Sequence, residues 1–213
     1  VTLEELRFAA GRRLARVATR AVVAQPALWR LFRRPLRAQF DRLAPLWEDV
    51  GGPEALAPVA AALDRLDDPP AWVLDIGTGT GKAARLVAER FSEAHVVGVD
   101  LSAGMVDEAR RRLPPALVGR IRFEVADAAR LPFVDGAFDL VLLVNMIPFF
   151  DEVARVTAPS GTVVVAAYSG PSTPIWTPPE TLRQRLEALG FGSFEEIAVG
   201  EGTAFLARRP GPG

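Results

Sequence analysis

The sequence predicts an α/β fold: a doubly wound, mostly parallel seven-stranded sheet with a terminal antiparallel hairpin, plus an N-terminal helical cap. Three observations predict it. Beyond residue 70, short runs rich in Val, Leu and Ile alternate with segments of helical period, as successive βα units do. Two final apolar runs are separated only by Gly200-Glu201-Gly202, a connection short enough for a hairpin and too short for a parallel crossover. Before residue 50, Trp29, Phe32, Leu36, Phe40, Leu43 and Trp47 recur at intervals of three and four, which places them on one face of a helix.

The elements follow in order. Thr2 with Glu5 three residues on has the form of a capping box, and Leu3, Leu6, Leu14, Val17 and Ala21 keep roughly helical spacing behind it. Pro26 ends that helix or begins the next, and Pro35 is expected to kink or divide the aromatic one. A short helix is expected over 54–66, closed by Asp67-Asp68-Pro69-Pro70, the best boundary in the chain. It divides the chain into an N-terminal helical extension, 1–70, and a core, 71–213. In the core, strands are predicted at 72–76, 96–99, 121–125, 140–144, 161–167, 194–199 and 203–207. Helices are predicted at 82–90, 103–113 and 179–189.

Composition narrows the chemistry. With 213 residues, 49% hydrophobic and 24% charged, the chain can bury a substantial core and is not disordered. There is no cysteine and one histidine, His95, which removes disulfides, thiolate metal sites and thiol nucleophiles and argues against a Ser-His-Asp triad. No metal site is expected. His95 opens a strand away from the glycine loop and reads as a surface residue, and Lys82 reads as a solvated first-turn residue.

Charge is uneven. Residues 1–42 hold ten arginines against Glu4, Glu5 and Asp41, a local charge of +7 on a remainder of −8. A solvated face is the leading reading; an anionic-membrane surface and a funnel for acidic substrates are the others. The N-terminus has no secretory pattern, and the longest uncharged stretch, 156–179, is broken by Pro159, Gly161, Gly170, Pro171, Pro174 and Pro178. The expectation is a cytoplasmic protein with a peripheral membrane contact through the Arg-rich helices as a further reading.

The most informative segment is Val73-Leu74-Asp75-Ile76-Gly77-Thr78-Gly79-Thr80-Gly81-Lys82, where a buried strand runs into alternating glycines and then a helix. Residues without side chains admit a ligand close to the backbone, and the helix start adds unpaired N–H donors. A phosphate-binding P-loop would need glycine at Ile76 and Ser or Thr at Ala83. A dinucleotide fingerprint would need its third glycine at Lys82, which leaves a nicotinamide enzyme as a weaker reading on fold grounds.

The spacing of Asp75, Gly77, Gly79 and Gly81 resembles motif I of class I S-adenosylmethionine-dependent methyltransferases of the small-molecule type. The resemblance continues through Val99-Asp100-Leu101-Ser102 with Met105, through Phe123-Glu124-Val125-Ala126-Asp127-Ala128, through Leu131-Pro132-Phe133, Phe138-Asp139-Leu140-Val141 and Leu189-Gly190-Phe191. It covers roughly residues 71–209, and four ordered motifs carry more weight than any one of them.

The resemblance implies S-adenosylmethionine as cofactor. It places Asp75 near the methionine end, where the residue also holds the loop, Asp100 on both ribose hydroxyls and Asp127 on the adenine amino group. Gly77, Thr78, Gly79 and Gly81 would supply the loop, with Leu101, Met105, Ala126, Ala128, Val144 and Asn145 around the cofactor. The implied acceptor-facing residues are Asn145, Met146, Phe149 and Tyr168, with Phe40 and Trp47 from a cap over the site. Asn145 has an equal reading as a residue that positions backbone, and Tyr168 as one that packs a loop. No general base is assigned; displacement at an activated methyl requires alignment more than proton transfer.

The partner expected is a small apolar or aromatic methyl acceptor. The alternatives are a cofactor-binding protein without methyl transfer and, less favoured, a nucleic-acid methyltransferase. Met146 and Ile147 replace the middle of an Asn-Pro-Pro-aromatic pattern, and the net charge of −1 disfavours nucleic acid. Oligomeric state is not legible.

Overall fold

The structure, a computed structural model, describes residues 3–49, 52 and 54–211. Thr2 lies outside them, so the capping box does too. Two long helices open the chain, α1 (Leu3–Ala24) and α2 (Trp29–Leu43), followed by a 3₁₀ turn over Ala44–Asp49 and a short α3 (Ala57–Leu63). Then come β1 (Trp72–Ile76), α4 (Lys82–Arg90), β2 (His95–Asp100), α5 (Ala103–Arg111), β3 (Ile121–Val125) and β4 (Phe138–Val144). The chain finishes with α6 (Phe150–Val156), β5 (Thr157–Ala167), α7 (Pro179–Glu187), β6 (Phe194–Val199) and β7 (Gly202–Arg208).

All seven strands form one sheet in the order β3-β2-β1-β4-β5-β7-β6, parallel except for β7, which runs antiparallel to both its neighbours. This is the doubly wound sheet and terminal hairpin expected from the strand pattern. The central strands are covered on both faces and are accordingly almost uninterruptedly apolar. Side chains alternate between two cores. Leu74, Ile76, Val141, Leu143 and Phe205 face one of them, Val73, Leu140, Leu142 and Leu206 the other.

The N-terminal helices share these cores. Ala15, Ala18 and Val22 of α1 with Trp29 and Leu36 of α2 pack on the first face, and Val59 and Leu63 of α3 on the second. Buried residues on both sides of the Asp67–Pro70 stop therefore pack against the same sheet. Trp29 is 7% exposed, stands edge-on to Phe149 at 5.1 Å and donates its indole N–H to Asp127 Oδ1 at 2.8 Å. Gly104 lets α2 approach α5, because a Cβ there would stand 3.2 Å from Asp41 O.

Four elements depart from the expectation. Pro35 sits inside an undivided α2; its ring is exposed, while Trp29 and Leu36 on the buried face anchor the helix on either side. α3 is half as long as predicted and lies across the β5–β7–β6 part of the sheet. β5 begins four residues early, its pairing with β4 broken by an irregularity at Ser160, whose φ is +63°. α6 has no counterpart in the predicted elements. It is too short to stand alone and is held by Arg155, which bonds Glu152, Asp135 and the carbonyls of Leu131 and Phe133.

Arg13, Arg16, Arg20, Arg30, Arg34 and Arg42 are exposed, Arg33 and Arg37 meet Asp127 and Asp41 at the surface, and Arg12 donates to Ser172 O. His95 is exposed and stacks on Trp72. Among the described residues, no helix is long and apolar enough to cross a membrane.

Candidate functional site

Between β1 and β4 the strand order reverses direction, and crevices form beyond the carboxyl ends of parallel strands at such a point. The cleft lies there, enclosing about 1140 Å³ open to solvent and bounded by the loop after β1, the ends of β2 and β4, and α2 with the turn that follows it.

The loop is built backwards over β2. Gly77 N and Thr78 N both donate to Val99 O, at 2.8 and 2.9 Å. Gly77 has φ +74°, and a Cβ there would stand 2.7 Å from Met146 Sδ. Gly79, at φ +54°, leaves room for the Trp47 indole, whose Nε1 would be 3.0 Å from an added Cβ. Gly79 N donates to Asp100 Oδ2 at 3.0 Å, and Ser102 N to Asp100 Oδ1 at 2.9 Å. These bonds lock the carboxylate at the end of β2 and leave each oxygen further acceptor capacity.

Asp75 is 1% exposed at the end of β1. Its Oδ2 accepts from Thr78 Oγ1 at 2.7 Å, while Oδ1 is buried without a partner among the described residues. Burial pushes its carboxyl up to about 6 against the opposing hydrogen bond from Thr78 and the smaller pull of the Ala84 N–H, which lies outside hydrogen-bond geometry, with the charge of Asp100 adding to the rise. Asp100 is also pushed up to about 6, again by burial, with its two backbone hydrogen bonds opposing. Two carboxyls whose ionised forms are destabilised by burial call for a ligand that pairs with the carboxylate, cationic or hydroxyl-rich. The unpartnered Asp75 oxygen and the anchored Asp100 fit S-adenosylmethionine: an ammonium at the first, vicinal hydroxyls at the second.

The cap closes the cleft by specific bonds. Phe40 and Trp47 meet edge-to-face at 5.5 Å and both line the cleft. Glu48 bridges the cap to the loop: its carboxylate accepts from Thr80 Oγ1 at 2.6 Å and from Arg85 at 2.9 Å, and its carbonyl accepts from Lys82 Nζ. Lys82 is thus engaged by the cap and is not the solvated residue expected. Asp41 Oδ1 accepts from Ser102 Oγ at 2.6 Å and Gly104 N at 3.2 Å, tying α2 to the start of α5. Glu48→Ala leaves the part-buried Arg85 with the Thr80 carbonyl alone and removes the side-chain bridge to the Trp47 turn. We expect dissociation of S-adenosylhomocysteine to accelerate about tenfold, a change of about 1.4 kcal/mol, read by stopped-flow displacement; an unchanged rate would show that the bridge does not hold the cap.

Asp75, Gly77, Thr78, Gly79, Asp100, Leu101, Met105, Ala126, Ala128, Val144 and Asn145 all line the cleft, as do Met146, Tyr168, Phe40 and Trp47. Three expected residues do not. Gly81 caps α4 and faces the core, where a Cβ would meet Phe123 at 2.6 Å, so its glycine serves helix–sheet packing. Asp127 Oδ1 is taken by the Trp29 indole and by Ala129 N at 3.0 Å, and Oδ2 stands 3.6 Å from Arg33. Phe149 is 7% exposed and packs on Trp29, because α6 starts just after it and turns its ring inward.

Asn145 adopts φ +50° at the end of β4; its N–H donates to Ala166 O at 2.8 Å, and its Oδ1 accepts from Tyr168 N at 3.2 Å. It clamps the ends of β4 and β5 while lining the cleft. Glu48, Thr80, Ile147 and Ile175 were not anticipated. Glu48 and Thr80 are ordinary polar residues whose meeting no local pattern encodes.

Residues 73–161 match the family described as "Methyltransferase domain". The chain is 42% identical over 130 residues to a demethylmenaquinone methyltransferase of Beutenbergia cavernae, covering 57% of this chain and 50% of that protein. It is 35% identical over 150 residues to a malonyl-[acyl-carrier protein] O-methyltransferase of Halorhodospira halophila, covering 66% of this chain and 50% of that one. The chain thus spans about half the length of these curated relatives. Among solved structures, an SAM-dependent methyltransferase from Aquifex aeolicus superposes with a TM-score of 0.65 at 17% identity, over 78% of this chain and 97% of that one.

Proposed function

This chain has the class I S-adenosylmethionine-dependent methyltransferase fold, and from that premise we propose that it transfers a methyl group to a small, largely apolar acceptor. One observation carries the reading: the buried, unpartnered Asp75 Oδ1 shares a cleft with Asp100 at the switch point of the sheet. A site that leaves a carboxylate oxygen unsatisfied is complementary to a ligand that satisfies it. Bound S-adenosylmethionine supplies a methyl group already activated by a sulfonium.

The chain's own residues bind, orient and exclude water. Asp75 accepts from the ammonium and Asp100 from the ribose hydroxyls. Leu101, Met105, Ala126 and Ala128 form apolar walls for the base. α2 and the turn after it act as cap: Phe40 and Trp47 cover the cleft, and Glu48 fastens them to the loop. Asn145 fixes the ends of β4 and β5, beside which Met146, Ile147 and Ile175 leave an apolar approach for the acceptor. Aligning the nucleophile and removing water account for most of what such a displacement requires. The nature of two relatives, one named for a demethylated menaquinone and one for a malonyl thioester carrier, supports a small-molecule acceptor over nucleic acid.

The test is turnover with methyl-labelled S-adenosylmethionine against reduced naphthoquinols and malonyl thioesters. Label transferred to one class supports the reading. Tight binding of S-adenosylhomocysteine with no transfer to either class favours a cofactor-binding role without methylation.

A further inference from the structure

We propose that a second pocket, opening off the cofactor cleft, holds the hydrocarbon tail of an amphipathic acceptor that carries a hydrogen-bonding oxygen. The proposal deepens the methyl-transfer reading and rests on it.

The pocket spans about 610 Å³, part of it open to solvent, and shares two wall residues, Met146 and Ile175, with the cleft. A molecule whose reacting end stands at Met146 meets this pocket on its far side. Its floor is one face of the β5–β7–β6 sheet. The register pairs Val165 with Phe205, Ala167 with Thr203, Phe205 with Glu196 and Thr203 with Ala198, so these six side chains point the same way. Its roof is the segment that leads into α7, through Trp176, Thr177 and Pro179 to Leu182.

Two features indicate what fits. The small side chains of Ala167, Thr203 and Ala198 form one row across the three strands beside the bulkier row of Val165, Phe205 and Glu196, leaving a trough that is exposed at Ala198 and mostly apolar, which suits a hydrocarbon chain. Thr177 is 6% exposed, and its hydroxyl has no partner among the described residues. A buried hydroxyl without a partner costs stability, and a ligand oxygen placed beside it removes that cost. At the outer end Glu196 is exposed and pairs with Arg183 at 3.2 Å, so the trough leaves the apolar region at the sheet edge. No local pattern announces this pocket, because its walls come from five separate segments.

Farnesol, a branched isoprenoid alcohol, is the probe. It is titrated by calorimetry into the full chain saturated with S-adenosylhomocysteine, whose own affinity is measured separately. Thr177→Val removes the hydroxyl while keeping the shape. Farnesol affinity is expected to fall about fivefold, the worth of one hydrogen bond, and Tm to rise, since the unsatisfied group is gone. Thr203→Phe fills the trough, and farnesol affinity is expected to fall more than about tenfold with S-adenosylhomocysteine affinity unchanged. Farnesol bound equally well by both variants overturns the proposal, as does a Thr177→Val chain with lowered Tm and unaltered farnesol affinity. A wild-type chain that binds S-adenosylhomocysteine but no farnesol overturns the tail pocket alone. Failure to bind S-adenosylhomocysteine at all overturns the methyl-transfer reading beneath it.

Discussion

Asp100→Ala is expected to weaken S-adenosylhomocysteine binding at least about a hundredfold while the chain stays folded. The carboxylate already accepts from Gly79 N and Ser102 N, so it is held in place before a ligand arrives. Its spare acceptor capacity faces the cleft, where hydrogen bonds to a charged group contribute about 1.5–3 kcal/mol each. Two such bonds correspond to roughly two to four orders of magnitude in affinity. Losing the Gly79 anchor loosens the loop as well, which adds to the effect. Stability should not suffer in proportion, because burial of this carboxyl is unfavourable at neutral pH. Calorimetry beside a thermal melt separates the two. Native-like melting with unaltered affinity would refute the role of Asp100; collapse of the fold would show that Asp100 is required structurally.

Asp75→Asn should move stability and affinity in opposite directions, each in a pH-dependent way. Its carboxyl rises from 3.8 to about 6 on folding. The native chain therefore holds a proton that the unfolded chain has released, and stability falls as pH rises between those two values. The full cost is about 3 kcal/mol at pH 7.5 and roughly half that at pH 5. Asparagine escapes it, so the free variant should melt higher than wild type at pH 7.5, with the gap narrowing at pH 5. Cofactor binding needs the ionised form: wild-type affinity should fall by about tenfold per carboxyl from pH 7.5 to pH 5 for groups near 6. The variant should bind more weakly than wild type at pH 7.5 and lose the Asp75 share of the pH dependence. A variant less stable than wild type at pH 7.5, or with the wild-type pH profile, would contradict the assignment.

What was legible in the sequence was local. The strand at 72–76, the glycines after it and the acidic residue ending the next strand all lie within thirty residues and impose their own geometry. Left-handed turns at Gly77 and Gly79 need glycine wherever they occur, and continuous apolar strands need cover on both faces. The aromatic period from Trp29 to Trp47 likewise announced a helix that had to bury one side, and α2 does so at Trp29 and Leu36. Where local pattern and tertiary contact pulled apart, contact decided. Pro35 is tolerated because both flanking turns are anchored, and α6 exists because Arg155 holds seven residues that could not stay helical alone.

By itself the sequence determined the seven strands in their chain order, the glycine loop and the two carboxyls at its edge, since each follows from spacing within one or two elements. Only the tertiary structure decided which neighbour each polar group meets. Asp127 is turned to Trp29, 98 residues away, Glu48 reaches Thr80 across 32, and Gly81 makes room for Phe123 instead of a ligand. Phe149 goes to the core, and the Thr177 hydroxyl, in a second pocket, meets no partner among the described residues. The physical reason is that backbone periodicity depends on nearest neighbours along the chain, whereas a side chain's partner depends on how whole elements pack.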